Sequence, residues 1–153
     1  ATGAQAALQG PVLAFAARTE TIRFESPLDG EWRALSSLSI TVPGPGRVLA
    51  EANGRARFFI AGSNGATSFY AGLSTLPSGR PQNAPAMIEL TGNRPGETLS
   101  FHTRHAFPVG APGEFTVHWL GMAFAESAES ATVFVTPSQM SLTYFPDMAP
   151  PTQ

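Results

Sequence analysis

The chain has no cysteine and no lysine among its 153 residues. The absence of cysteine excludes a disulfide framework, a thiolate nucleophile and a cysteine-ligated zinc or iron–sulfur site. All nine basic residues are arginine, so Schiff-base chemistry and a P-loop lysine are excluded too. Codon usage in a GC-rich genome is the simplest explanation for a chain that is rich in Arg, Ala, Gly and Pro and lacks lysine.

Charged residues are also scarce, at 13% of the chain, which is about half the usual share. Nine basic and 11 acidic residues leave a formal charge of −2. This excludes a nucleic-acid partner bound through a basic, phosphate-facing surface. No apolar run approaches the ~18–20 residues of a membrane-spanning helix. No cofactor is predicted, because the phosphate-loop and dinucleotide motifs are missing.

Hydrophobic residues make up 42% of the chain, which is enough to form the core of one domain. We expect an N-terminal extension at 1–10, a β-sandwich domain at 11–146 and a proline-rich tail at 147–153. The first residue is Ala1, and either removal of an initiator methionine or cleavage of a signal peptide would explain it.

Apolar residues alternate with polar ones at a period of two along most of the chain. Ile22 and Phe24, for example, alternate with Arg23 and Glu25. This period is typical of strands with one buried face. A helix at 126–131 is an alternative there, although a loop is favoured. The predicted strands, about ten in number, are 11–17, 20–25, 37–42, 46–52, 55–61, 67–73, 86–91, 97–104, 114–125 and 130–136, with a closing one at 139–146.

Turn signals separate these strands. Pro-Gly segments at 43–46, 95–97 and 112–114 combine a fixed φ with a residue that accepts positive φ. Asn53-Gly54 predicts a tight hairpin between two strands, and Asn64-Gly65 predicts a second tight turn. Short strands with turn signals every 8–15 residues predict an all-β fold. The predicted fold is a single antiparallel β-sandwich of the jelly-roll type, with little or no helix.

Two of the predicted strands are apolar on both faces. Residues 130–136 include three consecutive apolar residues, and residues 114–125 have a second apolar row. Such strands are covered on both sides, at the centre of the fold or at a subunit interface, or else a β-bulge switches faces within the strand. The two apolar rows of 114–125 are Phe115, Val117 and Trp119 on one face and Leu120, Met122 and Phe124 on the other.

The three histidines, His102, His105 and His118, lie close together in the sequence, with Glu114 between them. Histidines with a carboxylate on a β-scaffold can hold a divalent metal. However, a spacing of three places His102 and His105 on opposite faces of a strand. Cupins instead have two histidines one residue apart. Histidines that form local hydrogen bonds are therefore the favoured interpretation, and no metal site is predicted.

Catalytic motifs are also missing. No serine lies in a Gly-x-Ser-x-Gly nucleophile elbow, and one sequence cannot show which carboxylates converge. The chain is therefore predicted not to be an enzyme. A metal-dependent enzyme that uses the histidines and Glu114 remains the third hypothesis.

Exposed aromatic side chains are the other candidates for a binding site, because an aromatic row on a sheet can stack on sugar rings. The favoured alternative is that these residues fill the core and its subunit contacts. Adjacent strand residues face opposite sides, so either Phe58 or Phe59 must lie outside the core. The candidate ligand-binding residues are Trp32, Phe58, Phe69 and Tyr70.

In the C-terminal third, residues 110–119 are followed by a loop and then by the strand segments 131–135 and 141–146. Earlier in the chain, segments 38–43 and 46–50 flank the first Pro-Gly turn. This pattern resembles C1q/TNF-like jelly-roll domains of bacterial surface proteins and phage fibres. The resemblance covers about half the chain and rests on a pattern of strands and turns. It implies a trimer packed through aromatic strand faces that acts in adhesion, in ligand binding or as a structural subunit. It implies no catalytic residues.

The sequence thus favours a non-enzymatic β-sandwich subunit that works by self-assembly or adhesion, as a virion, fibre or cell-surface component. A homo-oligomer, most simply a trimer, or a larger protein assembly is the expected partner. A carbohydrate-binding module, with glycans as partners, is the alternative.

Overall fold

The computed structural model describes residues 12–17, 20–25, 31–61, 67–79, 81, 88–92, 96–125 and 130–147. All regular structure in these ranges is β-strand, and they contain no helix that could cross a membrane. The strands are β1 (Val12–Ala17), β2 (Ile22–Glu25), β3 (Arg33–Val42), β4 (Gly46–Ala61), β5 (Thr67–Ser74), β6 (Ile88–Gly92), β7 (Glu97–Val109), β8 (Gly113–Ala125) and β9 (Ser130–Pro146).

The strands form two antiparallel sheets. The five-stranded sheet has the order β1-β9-β4-β7, and β2 also pairs with β9. The four-stranded sheet has the order β3-β8-β5-β6. Early strands therefore pair with late ones: β1 and β2 with β9, β3 with β8, β4 with β7, and β5 with β6. This nested pairing is that of a jelly roll, so the predicted fold is confirmed.

The core lies between the two sheets and follows the period of two. In β4 every second residue from Gly46 to Phe58 is buried, while the residues between them are exposed or half-buried. Each fully buried large apolar side chain contributes about 1.5–3 kcal/mol relative to leaving it in water. The largest fully buried side chains are Trp119, Phe58, Phe69, Leu35, Leu73, Leu120, Met140 and Leu142.

The predicted hairpin at Asn53-Gly54 is wrong. These two residues lie in the middle of β4, which pairs along its length with β9 on one side and for most of it with β7 on the other. The register between β4 and β9 shifts between Asn53 and Gly54, as in a β-bulge. A Cβ at position 54 would lie 2.7 Å from the carbonyl oxygen of Thr136. Glycine is therefore needed for close backbone approach, not for a turn.

Segments 130–136 and 139–146 likewise form one strand, β9, where two were predicted. The predicted strands 46–52 and 55–61 also form a single strand, β4. These two mergers reduce the number of strands in the described ranges to nine. The Pro-Gly turn at 43–46 is confirmed between β3 and β4. Residues 130 and 131 belong to β9, which excludes them from a helix at 126–131. Residues 126–129, the predicted turn at 64–65, the extension at 1–10 and most of the tail lie outside the described residues.

The apolar row Leu120, Met122 and Phe124 of β8 is buried at one end only. Leu120 is fully buried, whereas Phe124 is 43% exposed. β8 keeps a continuous register with β5 through this region. The bulge lies in the neighbouring strand β3, where the register shifts between Ala34 and Ser36 and Leu35 enters the core. β8 is therefore apolar on both faces without a bulge of its own.

Candidate functional site

Of the four aromatic residues predicted to bind a ligand, two are buried in the core and two are half-buried at the surface. Phe58 and Phe69 are both 0% exposed in the core, so neither can present a ring to a surface ligand. Phe69 packs between Phe24 and Phe101, with ring centroids 5.7 and 5.5 Å away. Trp32 and Tyr70 are half-buried at the surface. The four residues therefore do not share one exposed surface.

The three histidines do not share a site. His102 is exposed on one face of β7, whereas His105 is half-buried and contacts the buried Phe107 at a centroid distance of 4.7 Å. This places them on opposite faces of the strand, as their spacing predicts. His118 lies in the other sheet, on β8. Among the described residues, no three His, Asp or Glu side chains converge to hold a metal ion.

His118 instead belongs to a row of polar cross-strand pairs on the outer face of the four-stranded sheet. The hydroxyl of Ser37 lies 2.7 Å from His118 Nδ1, and the hydroxyls of Ser39 and Thr116 lie 2.7 Å apart in the next pair. The row thus links β3 to β8 as a structural ladder.

The described residues contain a better candidate site on the outer face of the five-stranded sheet. A groove of about 450 Å³ opens there, and we call it the Arg–Phe groove. It runs from Thr21, just before β2, across β9, β4 and β7. The outward side chains of these strands meet in register: Arg57 of β4, for example, pairs with Phe134 of β9 and with Thr98 of β7. Its lining residues are Thr21, Arg55, Arg57, Phe59, Thr98, Phe134 and Thr136.

Two aromatic rings form the apolar part of the Arg–Phe groove. Phe59 and Phe134 meet edge to face, with centroids 5.2 Å apart and an interplanar angle of 86°. The guanidinium carbon of Arg57 lies 4.8 Å from the centroid of Phe59, and that of Arg23 lies 5.5 Å from the centroid of Phe134. Both distances are within the range of cation–π attraction. Each ring therefore holds an arginine in place.

A second depression of about 440 Å³ adjoins the groove and shares Arg55 with it. This depression lies at the bulge between β4 and β9, where Ser138 is the extra residue. Neither depression has an acidic residue in its described lining. The surface around Arg55 thus combines positive charge with hydroxyl groups and aromatic rings.

Part of this site follows from strand periodicity. Arg55, Arg57 and Phe59 alternate with Ala56 and Phe58, so they share one face of a strand. The structure confirms that one member of the Phe58-Phe59 pair is outside the core: Phe59 is 37% exposed. The sequence does not show that Phe134 joins it, because that contact depends on the register between β4 and β9.

The chain was compared with known proteins. No protein-family model and no curated protein sequence matches it. Similar solved structures include VP2 of infectious bursal disease virus in a subviral particle, at 9% identity and a TM-score of 0.45 over 87% of this chain and 32% of that one. Eiger TNF from S. frugiperda has 12% identity and a TM-score of 0.45 over 95% and 99% of the two chains. A bacterial lipoprotein from Bacteroides thetaiotaomicron has 12% identity and a TM-score of 0.43 over 88% of each chain.

The chain spans about a third of the length of the VP2 chains that it matches.

Proposed function

We propose that the chain is a non-enzymatic β-sandwich subunit that works by self-assembly or adhesion, as a virion, fibre or cell-surface component outside the cytoplasm. A homo-oligomer, with a trimer as the simplest form, is the proposed state. The observation that supports this proposal is an apolar area on the outer face of the five-stranded sheet, at the opposite end of β4 from the Arg–Phe groove.

This apolar end is formed by residues of three adjacent strands. Phe145 of β9 is 44% exposed and pairs with Arg47 of β4, which pairs in turn with the exposed Pro108 of β7. In the next row, Leu49 of β4 is half-buried and pairs with the exposed Ala106 of β7. Exposed apolar side chains therefore flank Arg47 on both neighbouring strands, and aromatic residues and arginine are enriched at protein interfaces. A second copy of the chain is the proposed occupant.

The test is the absolute mass in solution, measured by light scattering at two protein concentrations. We expect an oligomer for the wild type and a shift toward the monomer for Phe145→Ser. Phe124→Ser is the matched control, because Phe124 has nearly the same exposure, 43%, but lies on the other sheet. A monomeric wild type, or an equal shift in both variants, would refute assembly through this surface.

Binding of glycans is the second candidate function. The Arg–Phe groove supports it, because ligand sites combine an aromatic or apolar lining with a few placed polar groups, and aromatic rings and hydroxyl groups suit the faces and the hydroxyls of a sugar. Trp32 and Tyr70, half-buried on the surface, remain proposed stacking residues for a glycan. Absence of any signal on a broad glycan array, with the oligomer intact, would refute this function and leave the assembly proposal standing.

A further inference from the structure

The Arg–Phe groove places two arginines side by side, and none of its described lining residues is acidic. Arg55 and Arg57 are two residues apart on the same face of β4, which corresponds to a spacing of about 7 Å. Both are exposed. Two like charges held this close repel each other, and an anionic ligand between them would remove that repulsion.

Arg57 is also oriented before any ligand binds. Its guanidinium lies over the ring of Phe59 at 4.8 Å and passes beside Gly96, where a Cβ would be 3.9 Å from Nη2. The Gly96 N–H donates a 2.6 Å hydrogen bond to the carbonyl oxygen of Phe58, which fixes this turn against β4. The N–H donors of a guanidinium lie in its own plane, so a guanidinium placed over a ring still offers two parallel bonds to an oxyanion at its edge. Holding the side chain in advance lowers the entropy cost of binding.

The rest of the groove suits a hydroxylated ring better than a bare ion. Threonine hydroxyls lie at both sides, at Thr98 and at the Thr21–Thr136 pair, whose oxygens are 3.1 Å apart. Phe59 and Phe134 supply an apolar surface between them. The volume of about 450 Å³ lies within the range of small-ligand sites.

We propose that the Arg–Phe groove binds a sugar ring that carries a carboxylate or a sulfate. The oxyanion bonds to the guanidinium groups of Arg57 and Arg55, the ring packs on the phenylalanines, and the threonines bond to its hydroxyls. A nucleic-acid backbone has the same charge but needs a long basic track, and the chain as a whole carries a formal charge of −2. This inference rests on the binding function proposed above and adds the location and the ligand class.

The experiment is titration calorimetry of the full chain with three oligosaccharides of equal length: one rich in uronic acid, one sulfated and one neutral. We expect binding to at least one acidic oligosaccharide, with the better one identifying the oxyanion, and none to the neutral one. Arg57→Gln should weaken the affinity at least about tenfold, because it removes charge-assisted hydrogen bonds. Arg104→Gln is the matched control, since Arg104 is exposed on the outer face of the same sheet, on β7, but lies outside the groove.

Equal binding of the neutral oligosaccharide, no binding of either acidic one, or equal losses in the two variants would overturn the proposal. Equally tight binding of a single-stranded oligonucleotide would overturn it in favour of general polyanion binding. Light scattering on the Arg57→Gln variant separates this result from the assembly proposal. An intact oligomer that binds no acidic sugar refutes the site alone.

Discussion

Replacing Gly54 with alanine tests the continuous strand β4 directly. The added methyl group would lie 2.7 Å from the carbonyl oxygen of Thr136 and 3.2 Å from both Pro137 Cα and Phe101 Cζ. The first of these contacts is with backbone in the adjoining strand β9, which cannot rotate away as a side chain can. Part of the β4–β9 ladder must therefore shift by several tenths of an ångström.

The expected cost is the difference between two opposing effects. Overpacking of a tight site costs about 1–3 kcal/mol. Alanine recovers about 0.5–1 kcal/mol because it loses less backbone entropy on folding than glycine does. We expect Gly54→Ala to lower the free energy of unfolding by about 1–2 kcal/mol. For a domain of this size the Tm falls by about 2–4 °C for each kcal/mol.

Urea unfolding and thermal melting measure this effect, with Gly44→Ala as the control. Gly44 lies in the turn at 43–46, its φ is not positive, and a Cβ there would have no atom within 4 Å. The control should match the wild type or be more stable by about 0.4–1 kcal/mol. A Gly54→Ala variant as stable as the control would refute the close approach. Asn53→Thr adds a second check, since a strand accepts threonine at position 53 and a two-residue hairpin turn does not.

Three further perturbations have defined outcomes. Phe69→Ala removes a ring that is 0% exposed and packs between two other phenylalanines, and should lower the free energy of unfolding by about 3–5 kcal/mol in urea titrations. Tyr144→Phe removes a hydroxyl that donates to the carbonyl oxygens of Gly44 and Pro45 at 3.1 and 2.9 Å, and a loss of about 0.5–1.5 kcal/mol is expected in the same assay. His118→Ala removes an exposed cross-strand hydrogen bond and should lower the free energy of unfolding by less than about 1 kcal/mol. A chelator should not change the Tm of either the wild type or this variant. A large change of Tm with the chelator would instead indicate a bound metal.

The period of two was sufficient to predict the fold class and much of the strand content. It failed at Asn53-Gly54, because that pair has the local preference of a turn while β7 and β9 hold it in a strand from both sides. Local propensity cannot report the presence of neighbouring strands, and here the neighbours decide the structure. The same effect joined segments 130–136 and 139–146 into β9.

The candidate site was predictable only in part. Alternation places Arg55, Arg57 and Phe59 on one face of β4, and that is a local property of the sequence. Alternation cannot show which face of a strand packs against the other sheet. The sequence therefore predicts that Phe69 binds a ligand, whereas the ring lies in the core. Pairing of Phe134 with Arg57 depends on the register of two strands far apart in the chain, and no local pattern records it.

The position of β9 has a consequence for how the chain folds. Among the described strands β9 is the last in the chain, yet it is the strand in their sheet with which both β1 and β2 pair. β1 can pair only after β9, more than a hundred residues later in the chain, has been synthesised. The pairing closes a loop of that length, and the formation of such long-range contacts is slow. A nascent chain that ends before β9 leaves the apolar face of β4 and its unpaired edge exposed on the ribosome. Such an intermediate is a natural substrate for a holding chaperone, and slowing translation would prolong its exposure.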